Sequence, residues 1–189
     1  MKVVVVDNYD SFVYNIVHAL YEIGVEEIDV IKNDQLDFSS IHQYDKIVLS
    51  PGPGIPKDAG LMPKLLTEFA STKSILGICL GHQAIAEHFG TDLINLTAPL
   101  HGVASEIEIV KDDYLFENLP KQFKIGHYHS WVVSDKISED LEILAKDELG
   151  NIMALKHKKY DVRGLQFHPE SILTENGKIV LKNWINHLM

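Results

Sequence analysis

The sequence predicts a three-layer α/β protein: a mostly parallel central sheet flanked by helices, with an additional antiparallel strand region in the second half. In the first half, short β-branched runs alternate with amphipathic segments, which is typical of a parallel sheet covered by helices. In the second half, Ile107 and Ile109 alternate with glutamates, the two-residue period of a half-exposed antiparallel strand. The chain has 189 residues, about the size of one domain, so a single domain over residues 1–189 is predicted.

The elements of the first half follow from the positions of the apolar residues. Residues 3–6 form an uninterrupted valine run, as expected for a strand that is buried on both faces. Asp10 or Ser11 can cap a helix whose apolar residues recur with the 3.6-residue period, and Gly24 is well placed to end it. Further strands are predicted at residues 27–31, 46–49 and 75–78, and further helices at residues 61–70 and 81–89.

The second half is predicted to consist mainly of strands and to close with a helix. Beyond the strand around Ile107, the apolar patterns place strands near residues 122–128, 142–146, 152–156 and 162–167. The last helix is predicted at about residues 175–188. Its apolar residues are expected to be buried: Ile179, Trp184, Ile185 and Leu188.

Composition and charge argue against several function classes. With 27 acidic and 17 basic residues, the chain has a formal charge of −10, which disfavours binding to nucleic acid or to an anionic membrane. The apolar stretches are too short for a transmembrane helix, and the N-terminal valines meet Asp7 and Asp10 too early for a signal peptide. We therefore expect a cytoplasmic protein. A single cysteine excludes an intramolecular disulfide and a cysteine-rich zinc site, and no metal site is predicted.

The window that says most about chemistry is Gly-Ile-Cys-Leu-Gly at residues 77–81, between a predicted strand and a predicted helix. It is the cysteine form of a nucleophile elbow, a sharp turn that needs small residues two positions before and after the nucleophile. The turn places Cys79 at the carboxyl edge of the sheet and at a helix N-terminus, which favours the thiolate. The Leu80 N–H can point at a developing oxyanion. A lone cysteine is otherwise most often a core thiol, and the flanking glycines favour the catalytic interpretation.

A base and its orienting group are offered by His-Pro-Glu at residues 168–170, at the end of a predicted strand. A thiolate in acyl transfer needs a histidine that is held by a third group. In extended backbone, residues i and i+2 point to the same side, so Glu170 can fix the tautomer of His168. Taken alone, the two residues are equally compatible with a surface histidine and a solvated carboxylate, because only the fold can bring them to Cys79.

Pro-Gly-Pro-Gly at residues 51–54 ends the third predicted strand in a rigid turn. Because Pro53 has no N–H, a backbone donor at this point must come from Gly52 or Gly54. A glycine also lets a ligand approach the main chain closely. By itself, the motif indicates a plain turn.

These three motifs together, the third read as Gln-Phe-His-Pro-Glu-Ser at residues 166–171, resemble the class-I, triad-type glutamine amidotransferase family over essentially the whole chain. Residues 6–12, 50–54 and 128–130 resemble one branch of it in particular. That branch comprises the small subunit of anthranilate synthase and the glutaminase subunit of aminodeoxychorismate synthase. Trp131 stands where many relatives have leucine, and Val103 stands where they often have lysine.

The resemblance implies a role for each motif. Cys79 would be the nucleophile, His168 the general base and acid, and Glu170 the group that orients His168. The other implied positions hold the oxyanion or the glutamine head group: Gly52, Gly54, Leu80, Gln83, Ser130 and Trp131. Of these, the N–H groups of Gly52 and Leu80 would form the oxyanion hole. His129 stays open between a pocket role and a packing role, and the remaining histidines are not assigned to catalysis.

The resemblance also implies a substrate and a partner. L-Glutamine would be attacked at its carboxamide carbon, ammonia would leave, and water would hydrolyse the γ-glutamyl thioester. The ammonia would pass to a separate chorismate-using synthase subunit, either anthranilate synthase component I or aminodeoxychorismate synthase component I. No cofactor is implied for this subunit, since Mg²⁺ would belong to the partner synthase.

The leading hypothesis is therefore the glutaminase subunit of anthranilate synthase, in tryptophan biosynthesis. The alternative is the glutaminase subunit of aminodeoxychorismate synthase, in folate biosynthesis, or one subunit that serves both, because the ammonia acceptor lies in the partner. Two further hypotheses are less favoured: a stand-alone γ-glutamyl hydrolase or cysteine peptidase with the same triad, and a non-catalytic regulatory subunit. A regulatory subunit with a relic site would usually have lost the cysteine or the histidine, whereas Cys79, His168 and Glu170 are all present here.

Overall fold

A nine-stranded sheet with helices packed against it is the framework of the computed structural model, which describes residues 1–188. The strands are β1 (Lys2–Asp7), β2 (Glu27–Lys32), β3 (Lys46–Leu49), β4 (Ser74–Ile78), β5 (Leu93–Ile109), β6 (Gln122–Val133), β7 (Leu141–Asp147), β8 (Ile152–His157) and β9 (Val162–Leu165). The helices are α1 (Val13–Glu22), α2 (Phe38–Ile41), α3 (Met62–Phe69), α4 (Leu80–His88) and α5 (Gly177–Asn186). Short 3-10 turns lie at Pro56–Asp58 and Tyr114–Phe116.

The strand order is β2-β1-β3-β4-β9-β8-β7-β5-β6. The strands from β2 to β9 in this order are parallel, whereas β9, β8, β7, β5 and β6 pair antiparallel. The predicted α/β class and its antiparallel addition are thus confirmed, and the antiparallel strands continue the same sheet. Strand β9 joins the two halves, because it runs parallel to β4 and antiparallel to β8.

The layering follows from the valine run of β1, which is completely buried. Alternate side chains of a strand point to opposite faces. Val3 and Val5 accordingly belong to a core cluster that includes buried residues of α1 and α5. Val4 and Val6 belong to a second cluster, which includes buried residues of α3 and α4. Helices therefore cover both faces of the parallel half, which explains why its strands are apolar without alternation.

Helix α5 differs from the prediction in its bounds and in part of its buried face. It spans Gly177–Asn186, and Trp184 and Ile185 are buried as predicted. The predicted burial of Ile179 and Leu188 is wrong, since they are 39% and 79% exposed. The apolar stripe of this helix follows the positions i, i+3, i+4, i+7 and i+8 from its first residue, and Ile179 lies off that stripe. Leu188 lies beyond the helix end, where the chain is already extended at residue 187.

Strand β5 is longer than its sequence pattern indicates. It begins at Leu93, and residues 93–106 are exposed or half-buried, so no apolar alternation marks them. Over this length β5 pairs with β6, with two register irregularities, and pairs with β7 only at Ile107–Ile109. The β5–β6 pair therefore extends as a two-stranded ribbon. Within residues 1–188, no helix is long and apolar enough to cross a membrane.

Candidate active site

Cys79 lies in the sharp turn between β4 and α4, at φ 52° and ψ −100°, a backbone conformation that residues other than glycine rarely adopt. Its N–H donates to the Leu165 carbonyl oxygen at 2.8 Å, which ties the turn to the end of β9. The predicted need for glycine on both sides is explained by close packing. A Cβ on Gly77 would overlap the backbone of Gly81, and a Cβ on Gly81 would overlap the backbone of Leu49.

We expect Gly81→Ala to lower the free energy of unfolding by about 3 kcal/mol, because the added methyl group must displace the backbone of β3. Gly150→Ala is the control for the absence of close packing: Gly150 has a positive φ, which Gly81 does not, but no atom lies within contact distance of the added Cβ. For this variant we expect a loss of about 1 kcal/mol. Urea denaturation measures both values. Equal losses would mean that close packing is not what requires glycine at the elbow.

The structure brings His168 and Glu170 together as the sequence predicts. His168 Nδ1 lies 2.6 Å from Glu170 Oε1, and both side chains are almost completely buried. His168 follows β9, the direct neighbour of the strand that leads into Cys79, because Ile78 is in register with Leu165. Parallel strands end at the same edge of a sheet. The histidine and the cysteine, which are distant in sequence, therefore meet at the carboxyl edge.

The electrostatics of His168 are those of a base beside an acidic group. Burial lowers the pKa of His168, but the Cys79 thiol and the Glu170 carboxylate outweigh burial, and the pKa is raised. Among residues 1–188, His168 Nε2 forms no hydrogen bond, although Cys79 is near enough to raise the pKa of the ring. Such contacts commonly tighten only when substrate binds.

The Pro-Gly-Pro-Gly turn at residues 51–54 lies beside Cys79, and its glycine N–H groups are free to donate hydrogen bonds to a ligand. Within the described residues, the N–H groups of Gly52, Gly54 and Leu80 donate to no other atom. A Cβ on Gly52 would overlap the side chains of Asn8 and Leu80, so only glycine lets the turn approach the start of α4 this closely. The predicted oxyanion donors are therefore adjacent, and they are available to a ligand.

Most of the predicted site residues line a cavity of about 200 Å³. Its lining includes Gly52, Gly54, Cys79, Gln83, Ser130 and Trp131. A larger cavity of about 500 Å³ lies between α1 and the start of α5, but its walls contain neither Cys79 nor the glycine turn. We therefore take the smaller cavity as the candidate site. Leu80 reaches it through its backbone and through its contact with Gly52.

Two buried polar residues complete the site, and neither was assigned a role from the sequence. Asn8 donates to the Ser50 carbonyl oxygen at 2.8 Å and accepts from Asn33 at 3.0 Å, which fixes the start of the glycine turn. Gln166 donates to Cys79 Sγ at 3.7 Å and accepts from Gln83 Nε2 at 3.2 Å. The available signal was a polar residue at the end of, or inside, an apolar strand pattern, because such a residue needs a buried partner.

The comparison with known proteins agrees with the arrangement of residues in the site. The family model described as glutamine amidotransferase class-I matches residues 4–188. The chain therefore belongs to the class-I glutamine amidotransferase family, and it is a glutamine amidotransferase enzyme.

Particular relatives are similar over nearly the whole chain. The Bifunctional protein TrpGD of Thermotoga maritima is 42% identical over 98% of this chain, which spans only 32% of that longer protein. The aminodeoxychorismate/anthranilate synthase component 2 of Bacillus subtilis is 39% identical, over 97% of this chain and 95% of its own length. The crystal structure of a putative GMP synthase subunit from Thermoplasma acidophilum is 27% identical, with a TM-score of 0.88 over 98% of this chain and 92% of that one.

Proposed function

We propose that this chain is the glutaminase subunit of a two-component synthase, releasing ammonia from L-glutamine for a chorismate-using partner subunit. The observation that carries the proposal is the position of Cys79. It lies on a strained turn at the sheet edge, and the neighbouring strand ends in the buried His168–Glu170 pair. A nucleophile, a base and an orienting group in this arrangement perform acyl transfer.

The proposed reaction has two halves. In the first, His168 takes the proton of Cys79, the thiolate attacks the carboxamide carbon, and His168 passes the proton to the departing nitrogen, which leaves as ammonia. In the second, His168 takes a proton from water, which attacks the carbonyl carbon of the γ-glutamyl thioester. The C–S bond breaks, glutamate is released, and His168 returns the proton to the Cys79 sulfur. The N–H groups of Gly52 and Leu80 stabilise the oxyanion in both halves. Glu170 keeps the His168 ring in one orientation and tautomer.

The pocket suits a small amino acid. Its volume of about 200 Å³ is of the size that a small amino acid such as glutamine needs. Gln83 and Ser130 add side-chain amide and hydroxyl groups to the wall, and Trp131 adds its main chain. Polar groups of this kind fix the orientation of a ligand.

For the partner, we propose anthranilate synthase component I first, with aminodeoxychorismate synthase component I as the alternative. The name of the Bacillus relative joins the two syntheses, which supports a subunit that serves either or both partners. Mg²⁺ is proposed to act in the partner synthase, and no cofactor is proposed for this chain. A cytoplasmic location is proposed because the free Cys79 thiol that the reaction needs fits a reducing compartment.

The test is glutaminase activity of the purified chain alone and with each candidate component I, with and without chorismate. We expect one partner to stimulate glutamine hydrolysis about tenfold or more, because such sites are gated by the partner, and the matching product to appear. Ammonia in place of glutamine is the control for partner activity. Hydrolysis of γ-glutamyl substrates that no partner changes would instead support a stand-alone γ-glutamyl hydrolase. A chain that binds component I but never hydrolyses glutamine would support a regulatory subunit.

A further inference from the structure

A chain of hydrogen bonds crosses the β5–β6 ribbon and ends on the wall of the candidate pocket. Ser105 Oγ of β5 lies 2.5 Å from His127 Nε2. His127 Nδ1 lies 2.9 Å from His129 Nε2, and His129 Nδ1 lies 3.0 Å from the carbonyl oxygen of Trp131. Both rings are buried, so water does not compete for these bonds. The last acceptor belongs to one of the residues that the proposed function assigns to the glutamine pocket.

Each proton in this chain can be assigned from its partner. A carbonyl oxygen only accepts, so His129 must carry its proton on Nδ1. A neutral imidazole then has a bare Nε2, which accepts from a proton on His127 Nδ1. The bare Nε2 of His127 in turn accepts from the Ser105 hydroxyl. All the bonds therefore point in one direction, from Ser105 toward the Trp131 carbonyl.

This assignment requires both rings to be neutral, and their surroundings keep them so. Burial is the main cause that lowers the pKa of His129 to about 3, and His127, His168 and His101 lower it further, against the Trp131 carbonyl. Burial also lowers the pKa of His127, and the Asp147 carboxylate opposes this only in part. A proton added to His129 Nε2 would face the N–H of His127 Nδ1, so two donors would meet, whereas a proton added to His127 Nε2 would require the Ser105 hydroxyl to turn and accept.

The Trp131 carbonyl oxygen is held from a second side. Gln83 Nε2 donates to it at 2.9 Å, so both lone pairs of this oxygen have donors. The same amide group lies 3.2 Å from Gln166 Oε1, and Gln166 Nε2 lies 3.7 Å from Cys79 Sγ. The carbonyl is thus an anchor of the pocket wall, placed between the histidine chain and the glutamines that reach the sulfur.

We infer that His127 and His129 are positioning residues, which fix the Trp131 main chain and, through Gln83 and Gln166, the pocket side of Cys79. The inference rests on the proposed glutaminase function and adds residues that tune glutamine binding. It assigns them no proton transfer. His129 also lines the pocket and His127 does not, but the effect assigned to both is exerted through the Trp131 carbonyl.

The first test reads the tautomers directly from the unsubstituted protein. In ¹⁵N-histidine spectra, we expect two of the ten rings to remain neutral with the proton on Nδ1 from about pH 6 to 8, a range in which free histidine changes its charge. His127→Phe and His129→Leu assign the two signals. Either ring found with its proton on Nε2, or charged near neutral pH, overturns the inference.

The second test separates positioning from folding by kinetics. His129→Leu removes the bond to Trp131, and we expect KM for glutamine to rise about tenfold, with kcat changed less than about threefold, as for the loss of one neutral hydrogen bond. His129→Asn keeps a donor near the Nδ1 position, so its KM should stay within about threefold of the original value. Equal KM values for these two variants overturn the inference.

His157→Leu is the matched control, because His157 is also a buried histidine but packs against Phe89 and Tyr160, away from the pocket. It is expected to lower stability without changing KM, and a rise in KM equal to that of His129→Leu would also overturn the inference. Protection of Cys79 by glutamine against labelling with iodoacetamide distinguishes a failure of the proposed function from a failure of this inference. If the unsubstituted protein shows no protection in complex with either component I, the proposed function fails. If protection is intact but insensitive to position 129, the inference alone fails.

Discussion

Replacing Cys79 by alanine is expected to lower glutamine-dependent synthesis by the complex about 10³-fold or more, because no other group can form the thioester. Ammonia-dependent synthesis by the partner should remain unchanged, since only the source of ammonia is lost. The two rates are measured on the same reconstituted complex, with glutamine or an ammonium salt. Glutamine-dependent synthesis that survives the substitution would show that Cys79 is not the nucleophile.

The chain offers a direct control for this experiment. Cys79 is its only cysteine, so iodoacetamide should label the original protein once and the Cys79→Ala variant not at all. Binding of the variant to the partner then shows that the loss concerns chemistry and not assembly. A variant that fails to bind the partner calls for Cys79→Ser, which differs from the original protein in one atom.

His168→Ala is expected to lower the rate of thioester formation about 10³-fold or more, and Glu170→Gln only about 10- to 100-fold. His168 transfers the proton, whereas Glu170 orients the ring that transfers it. Removing the Glu170 charge also takes away one of the groups that raise the pKa of His168, so the pH profile of the remaining activity should shift to lower pH. Rapid-mixing measurements of the first turnover give these rates.

Glu175→Gln is the matched control for the loss of a carboxylate near this segment. Glu175 accepts from the backbone N–H of Lys124 at 3.2 Å and touches neither His168 nor Cys79. Its replacement should leave thioester formation unchanged within about twofold. A larger loss for Glu170→Gln than for His168→Ala would contradict the roles assigned to the two residues.

Much of the fold could be predicted because its signals are local. The valine run of β1 and the 3.6-residue period of α1 can each be recognised within a short stretch of sequence. The position of β9 between β4 and β8 could not be predicted, because strand pairing across nearly half of the chain leaves no local pattern. The exposed part of β5 was missed for a related reason: residues 93–102 bury little, so no alternation marks them.

The candidate site also combines features that the sequence predicts with features that only the fold reveals. The elbow at Cys79 follows from glycine spacing, and the contact of His168 with Glu170 follows from two positions in extended chain. The network of Asn8 and Gln166 depends on partners that are distant in sequence, so only the fold reveals it. The histidine chain from Ser105 to Trp131 is hidden similarly, since its first bond joins two strands.

The pairing of β4 with β9 sets the moment at which the thiol can become reactive during synthesis of the chain. Strand β9 is the last of the nine strands to leave the ribosome, and it both accepts the Cys79 N–H at Leu165 and leads into His168. A nascent chain that ends before residue 165 carries the cysteine without its base. Long-range strand pairing is also slow compared with local folding. The growing polypeptide is therefore unable to hydrolyse glutamine until β9 and His168 have been translated and have paired with β4.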